Sequence, residues 1–116
     1  MSRPADIYLR FLRLAEAIKG LPSLPALDPL EERILQLIAR RQDARERLSV
    51  RDMIALSEFG SPTMLHRRLK SMRAKGWIML LDTEDTRRKQ LSLTPAAMQH
   101  LDSLSQCLVQ AVGKQA

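Results

Sequence analysis

The 116-residue chain is long enough for one compact domain with a modest hydrophobic core. Its 19 lysine and arginine residues exceed its 13 acidic residues, and the resulting net charge of +6 favours phosphate-bearing partners over acidic ligands. Only 3% of the residues are aromatic, which argues against modules that stack single-stranded bases on exposed rings. Double-stranded nucleic acid is therefore the favoured class of partner.

The cysteine content and the charge pattern indicate where the protein resides. One cysteine, Cys107, excludes an intramolecular disulfide and a cysteine-rich metal site, which is typical of a reducing compartment. No stretch approaches the roughly 18 uninterrupted apolar residues of a membrane span. Arg3, Asp6 and Arg10 stand where a signal peptide needs apolar residues. We expect a soluble, cytoplasmic protein with no membrane partner.

Two helices are predicted in the N-terminal part of the chain. Four apolar residues recur at intervals of four, three and four, which predicts a helix ending near Gly20: Ile7, Phe11, Leu14 and Ile18. Asp28-Pro29-Leu30-Glu31 combines an N-cap acceptor, a proline at the first helical position and a capping-box glutamate, so a second helix begins there. Its expected buried residues are Leu30, Ile34, Leu37 and Ile38. The charged run 40–47 ends it.

A pair of short helices joined by a glycine turn comes next. Leu48 is expected to form a very short strand, and Ser49 caps a helix of about two turns. A polar turn ends at Gly60, and Ser61-Pro62 starts another helix by the same combination of cap and proline. Tandem helices with a glycine between them are typical of a helix-turn-helix.

The helix that begins at Ser61 has an apolar side and a cationic side. Leu65, Leu69 and Met72 recur at spacings of four and three and are expected to face the core. The opposite side and its flanks form a polar, cationic stripe suited to a major groove: Ser61, Thr63, Met64, His66, Arg67, Lys70, Ser71 and Arg73. The alternative is an ordinary solvated helix face.

A β-hairpin with a basic return arm is predicted after this helix. Gly76 ends the helix, and the apolar run 77–81 is suited to a strand. The acidic segment 82–86 forms a turn, and Leu91 and Leu93 alternate in a second strand. The candidate contacts of the hairpin with nucleic acid are Asp85, Arg87, Arg88 and Lys89.

The order of these elements predicts a mainly α-helical winged helix-turn-helix with a small β-hairpin wing. In that architecture the second helix of the pair enters the major groove, and the hairpin reaches the adjacent backbone or minor groove. Residues 61–90 contain eight lysines and arginines but three acidic residues. The excess positive charge therefore lies mostly on the two elements that are expected to meet DNA.

The wing resembles that of the MarR family of bacterial transcription regulators, and the resemblance covers roughly residues 28–101. Family members carry two aspartates three residues apart, then arginines, and a Leu-Thr pair before the next helix; the matching residues are Asp82, Asp85, Arg87, Leu93 and Thr94. The resemblance implies that Arg87 enters a minor groove and that Asp85 orients it. A surface ion pair on a mobile hairpin is the alternative.

The resemblance also covers the recognition helix and the start of the last helix, but several residues there depart from the family pattern. Arg67 stands where the family usually has an arginine. Met64 and His66 replace small hydroxyl residues, Arg68 takes a commonly apolar position, and Ala97 replaces a frequent glycine. The base preference of the family is therefore not transferred to this chain.

A last helix is predicted from about Pro95 to Val112, and its apolar stripe exceeds what covering a wing requires. The resemblance implies that the terminal helices interlock in a homodimer through Ile7, Phe11, Leu14, Ile18, Leu101, Leu104, Leu108 and Val112. Packing within one subunit is the alternative. The expected divisions are 1–24 for the N-terminal dimerisation helix, 25–95 for the winged helix and 96–116 for the C-terminal dimerisation helix.

These features predict a dimeric, sequence-specific regulator of transcription that binds a pseudo-palindromic operator in double-stranded DNA; activation and repression stay open. A winged helix for protein contact or general nucleic-acid handling is the alternative. No enzyme, cofactor or metal is expected, because the titratable residues are spread over helix faces and His66 and His100 lie on different helices. Cys107 is interpreted as a small buried apolar side chain, with redox sensing as the alternative. Any small-molecule effector stays open.

Overall fold

Helices and one hairpin account for most of the computed structural model, which describes residues 3–19, 24–84 and 88–113. The elements in chain order are α1 (Pro4–Lys19), α2 (Pro29–Asp43), α3 (Val50–Ile54), a 3₁₀ turn (Ser57–Phe59), α4 (Pro62–Ala74), β1 (Ile78–Asp82), β2 (Lys89–Leu93) and α5 (Pro95–Gly113). Leu24–Ala97 form one compact unit. The second unit contains α1 and the part of α5 from Met98 onwards.

The core of the Leu24–Ala97 unit is apolar and draws on every helix and strand of that unit. The buried side chains are Ile34, Leu35, Ile38, Leu48, Met53, Leu65, Leu69, Met72, Trp77, Ile78, Leu91, Leu93 and Ala97. The predicted buried face of α2 is confirmed at Ile34 and Ile38, but Leu30 and Leu37 are only half-buried. Leu35 is buried in their place, so the buried face of α2 is rotated slightly from the predicted one.

The caps that the sequence predicts are present. Asp28 Oδ1 accepts a hydrogen bond from the Glu31 amide at 2.8 Å, and Glu31 Oε1 accepts one from the Asp28 amide at 3.0 Å. Ser61 Oγ accepts from the Met64 amide at 3.2 Å and so starts α4. Each cap satisfies an amide that a helix leaves without an internal partner. The short α3 also has a full capping box, between Ser49 and Asp52, where the sequence analysis identified only the serine.

A left-handed glycine ends α4. Gly76 has φ +86°, its amide donates to the Arg73 carbonyl at 3.0 Å, and the Trp77 amide donates to the Met72 carbonyl at 3.0 Å. This pair of bonds is a Schellman motif, in which glycine carries no Cβ penalty. The C-terminus of α2 has the same two bonds, but Arg45 adopts the left-handed conformation with φ 59°.

The hairpin is antiparallel, with Ile78 opposite Leu93, Leu80 opposite Leu91 and Asp82 opposite Lys89. β1 therefore begins and ends one residue later than predicted, and Asp82 belongs to the strand rather than to the turn. The expected short strand at Leu48 is an isolated bridge between Ser49 and Gln90. There the Leu91 amide donates to the Leu48 carbonyl at 2.8 Å. This bridge attaches the hairpin to the segment before α3.

In the second unit, Cys107 and Ala111 are the buried residues of α5, and Arg10 Nη1 of α1 donates to the Ala111 carbonyl at 2.8 Å. Cys107 is 6% exposed, as expected for a small apolar side chain. None of the helices within the described ranges combines the length and the apolar character needed to cross a membrane.

Replacement of Gly76 by alanine tests the left-handed end of α4. A Cβ at this position meets Leu24 Cδ2 at 3.2 Å in addition to the backbone penalty. We expect Gly76→Ala to lower the free energy of unfolding by about 1–2 kcal/mol in urea titrations. Gly113→Ala is the matched control, since nothing lies within 4 Å of its added Cβ. Equal stability of the two variants would contradict this account of the α4 terminus.

Candidate nucleic-acid interface

The orientation of α4 determines which of its side chains are exposed. Leu65, Leu69 and Met72 are at most 3% exposed, which confirms the predicted buried face. With 3.6 residues per turn, burial of these three positions places Thr63, Arg67 and Lys70 on the opposite side. All three are exposed. The helix therefore presents a continuous outer face along its length.

The residues that flank this outer face are exposed, with the exception of Ser71. Ser61, Met64, His66 and Arg73 are exposed, as a groove-binding surface requires. Ser71 is half-buried and faces α2, where its hydroxyl helps to lower the pKa of Glu31. Of the eight positions proposed from sequence at α4, Ser71 is thus the one that is half-buried rather than exposed.

The cations of α4 fall into two groups by their partners. Arg67, Lys70 and Arg73 have no acidic partner within the described part of the chain. Arg68, by contrast, is paired with Asp28, and Lys75 Nζ lies 2.9 Å from Glu31 Oε1. The uncompensated positive charge therefore lies on the outer face, and the paired charge lies against α2.

Glu31 is buried, with 1% of its side chain exposed. Burial acts to raise the pKa of this carboxyl, but the hydrogen bonds from the Asp28 amide and Lys75, with a contribution from the nearby Ser71 hydroxyl, outweigh it, so the pKa lies below its ordinary value. The carboxylate is therefore ionised and paired at neutral pH. From sequence, Glu31 is recognisable only as a capping residue, because its partner Lys75 is 44 positions away.

The hairpin carries part of the predicted basic arm. Arg88 and Lys89 are exposed, and Lys89 is paired with Asp82 across the two strands. The backbone hydrogen bond from Ser49 lowers the pKa of Asp52, and the charges of Arg88 and Arg41 contribute to the shift. Asp85 and Arg87, the predicted tip residues, lie outside the described residues.

A concave surface joins α4 to the hairpin. A cavity of about 420 Å³ has Leu69, Leu80 and Leu91 among its apolar lining residues. Arg67, Lys70 and Arg73 line the same cavity. The structure thus brings the unpaired cations of α4 and the strands of the hairpin together on one side of the Leu24–Ala97 unit.

Comparison with protein-family models and with curated protein sequences gives no match. Solved structures do match. The S. aureus MepR bound to ethidium bromide aligns with a TM-score of 0.66 over 95% of this chain and 77% of its own, at 18% identity. A transcriptional regulator from Thermotoga maritima aligns with a TM-score of 0.61 over 93% and 68%, at 12% identity. The heme sensor protein PefR from Streptococcus agalactiae, in complex with heme, gives 0.58 over 99% and 80%, at 20% identity.

This chain has the fold of these regulators. The winged helix-turn-helix prediction and the resemblance to MarR-family regulators are thereby confirmed at the level of the fold. By its place in this fold, α4 corresponds to the second helix of the helix-turn-helix, and β1 with β2 corresponds to the wing. Which residues contact DNA stays a prediction.

The buried Glu31 gives a prediction for the acid dependence of stability. Because its pKa is lower in the folded state, its contribution is complete above about pH 4.5 and is lost as the pH falls through the folded-state value. Glu31→Gln should destabilise the protein at pH 7, and the difference from the original chain should shrink below about pH 4.5. Urea titrations at several pH values measure this difference.

The matched control is Glu32→Gln, which removes an exposed carboxylate from the same helical turn. Its difference from the original chain should stay small across the whole pH range. A Glu31→Gln difference that is constant with pH would show that the ionised carboxylate is not the stabilising form.

Proposed function

We propose that this chain is a sequence-specific, double-stranded DNA-binding regulator of transcription that acts as a homodimer in the cytoplasm. Its recognition helix α4 lies in the major groove, and its wing contacts the minor groove or the adjacent backbone. The observation that carries the proposal is the outer face of α4, where exposed cations have no acidic partner within the described residues.

The chemistry of that face suits duplex DNA. Arginine and lysine neutralise phosphates and release the counterions condensed on DNA, and an arginine fork also matches the two acceptors on the guanine edge. Arg67 lies at the centre of the face, so we assign it to base edges. Lys70 and Arg73 lie farther along the helix, and we assign them to phosphates. Ser61, Thr63, Met64 and His66 complete the proposed contact surface.

The comparisons support a DNA partner. A mutant of S. aureus MepR bound to an oligodeoxyribonucleotide aligns with a TM-score of 0.58 over 96% of this chain, at 17% identity. That protein uses the fold found here for DNA binding. For this chain, the same partner agrees with the net charge of +6 and with its concentration on α4 and the wing.

For the wing we retain the assignment that follows from the sequence resemblance. Arg87 enters the minor groove, where a guanidinium suits the negative potential, and Asp85 orients it through charge-assisted hydrogen bonds. Arg88 is exposed and supports the same contact. Lys89 contributes less, because its charge is already paired with Asp82.

The homodimer is proposed from apolar side chains that the second unit leaves exposed. On α5 these are Leu108, Val109 and Val112, of which Val109 is 71% exposed. On α1 they are Tyr8, Leu9 and Leu12, with Tyr8 60% exposed. An apolar set of this kind on a small protein marks a protein contact. A second copy of the chain is the proposed partner, because a symmetric dimer sets two recognition helices on two half-sites.

Of the interface residues proposed from sequence, Leu108 and Val112 are exposed and available to a partner. Ile7, Phe11, Leu14, Ile18, Leu101 and Leu104 are half-buried, so part of each side chain is already covered. Tyr8, Leu9 and Leu12 were not identified from sequence, since the spacing argument singled out the adjacent side of α1. We add these three to the proposed interface.

The roles assigned to α4 and the wing predict different effects on DNA binding. Arg67→Ala should weaken binding to a specific duplex and also relax discrimination against altered sequences, by about 1–3 kcal/mol at the contacted base pair. Arg87→Ala should weaken binding to all duplexes alike. Fluorescence anisotropy titrations at several salt concentrations, on a specific and a scrambled duplex, measure both effects.

Arg40→Ala is the control for charge alone, because it removes an exposed arginine from α2. It should change neither discrimination nor the slope of log K against log salt. Binding of the original chain that is no tighter to any genomic site than to scrambled duplex would refute the regulatory role. A stable protein partner recovered in that case would favour the winged helix as a protein-contact module.

The proposed dimer interface predicts that charged substitutions within it convert the sedimenting species from a dimer to a monomer. The original chain should sediment as a dimer, and Leu108→Glu combined with Val112→Glu should sediment as a monomer, since a buried dimer contact does not accommodate two unpaired carboxylates. Gln106→Glu adds one carboxylate at an exposed polar position of the same helix and should stay dimeric. Equal masses for the original chain and the double variant would contradict this interface.

A further inference from the structure

The N-terminus of α2 and the side of α4 that faces it carry four charged residues in two pairs. Asp28, the N-cap of α2, and Glu31, in its first turn, lie three positions apart. Asp28 pairs with Arg68 of α4, and Glu31 pairs with Lys75, the C-cap of α4. Arg68 and Lys75 are seven positions apart, so they lie on the same side of α4 and about 10 Å apart along its axis. We call these four residues the carboxylate clamp.

We propose that the carboxylate clamp positions the recognition helix, so that Arg68 and Lys75 set DNA affinity without touching DNA. The inference rests on the proposed DNA-binding function and deepens it. Arg68 and Lys75 lie within the cationic segment 61–90 of the sequence but act through α2. They are positioning residues, distinct from the contacts proposed for Arg67, Lys70 and Arg73.

The geometry supports a positioning role, because apolar packing alone would let α4 slide and rotate, and the carboxylate clamp restricts both motions. The buried side of α4 is held by Leu65, Leu69 and Met72, and such contacts are non-directional. Two charged hydrogen bonds at separate points along the axis add direction, and they oppose sliding and rotation of the helix. A rotation of α4 by one residue would move Arg67 away from the base edges.

Further contacts hold the C-terminal end of α4 at the same place. Lys75 Nζ also donates to the Ala26 carbonyl at 3.0 Å, and Trp77 Nε1 donates to the Pro25 carbonyl at 2.7 Å. Leu24 lies against Gly76, where a Cβ would approach its Cδ2 to 3.2 Å. Leu24, Pro25 and Ala26 therefore contact the residues at the C-terminal end of α4.

The charges of the clamp are also favourable for both helix ends. Asp28 and Glu31 lie at the positive end of the α2 dipole, and Lys75 lies at the negative end of the α4 dipole. Because each cation already has a carboxylate partner, binding of a phosphate by Arg68 or Lys75 would compete with that pair for the charge and the N–H donors of the cation. The unpaired cations on the outer face carry no such cost.

The Asp28 and Arg68 pair is the suitable place for a test. Their side chains are 33% and 38% exposed, whereas loss of Lys75 would leave the buried Glu31 carboxylate unpaired and threaten folding. Asp28→Asn keeps the N-cap, because asparagine caps helices as well as aspartate does. It replaces the charge that faces Arg68 with an amide. Arg68→Gln removes the other half of the pair.

The test measures binding of a specific duplex by the original full-length chain, Asp28→Asn, Arg68→Gln and the double variant over a range of salt concentrations. Each single variant should bind about threefold to tenfold more weakly. The slope of log K against log salt should stay unchanged, and the double variant should bind as tightly as either single variant. Arg67→Ala serves as the contact control, and urea titrations confirm that every variant is folded at the assay temperature.

Several results would overturn the proposal. A slope reduced by about 0.9 in Arg68→Gln, with Asp28→Asn binding as tightly as the original chain, would make Arg68 a phosphate contact. A lower free energy of unfolding with unchanged affinity for DNA would mean that the clamp contributes to folding alone. Losses of affinity that add up in the double variant would show that Asp28 and Arg68 act separately. Failure of the original chain to bind any duplex would refute the proposed function itself, and is thereby distinguished from these results.

Discussion

The packing of α4 against the core of its unit is the constraint on which the rest of the structure depends. Leu65, Leu69 and Met72 are buried among the apolar side chains of the other helices and strands of the unit. Once these positions are fixed, helical geometry fixes the outer face as well, and Thr63, Arg67 and Lys70 point away from the core. The proposed reading surface is thus a direct consequence of burial.

Electrostatics divides the basic residues of this region by role. The clamp pairs Arg68 and Lys75 with carboxylates of α2, and the wing pairs Lys89 with Asp82. Arg67, Lys70 and Arg73 keep their charge free of acidic partners within the described chain. Net charge alone therefore overstates the proposed DNA-binding surface, since Arg68, Lys75 and Lys89 are already paired with carboxylates.

Local signals in the sequence were sufficient for the helix starts, the buried side of α4 and the hairpin, because caps, periodicity and alternation act over a few residues. They placed the end of α2 within the charged run 40–47, but they did not predict that Arg45 takes a conformation usually left to glycine. Nor did they predict the pairing of Asp28 with Arg68, which joins residues 40 positions apart. Such pairs depend on how the helices pack, and spacing within one helix carries no information about its neighbour.

The DNA contacts themselves were predicted from the wheel of α4 and from the wing motif, and they stay predictions. The structure adds the exposure of Arg67, Lys70 and Arg73 and their position beside the hairpin. It also shows apolar side chains on α1 and α5 that the spacing argument missed, Tyr8 and Leu12 among them. Both features are consistent with a dimer that presents two recognition helices.

Selection of bound sequences from random double-stranded DNA tests the central claim most directly. The account predicts enrichment of a pseudo-palindromic motif whose half-sites lie about 10 base pairs apart, centre to centre, or a multiple of that spacing. Recovery of bound DNA that shows no enriched motif after repeated rounds would contradict it. In that case the outer face of α4 would bind the charge of DNA but not its sequence.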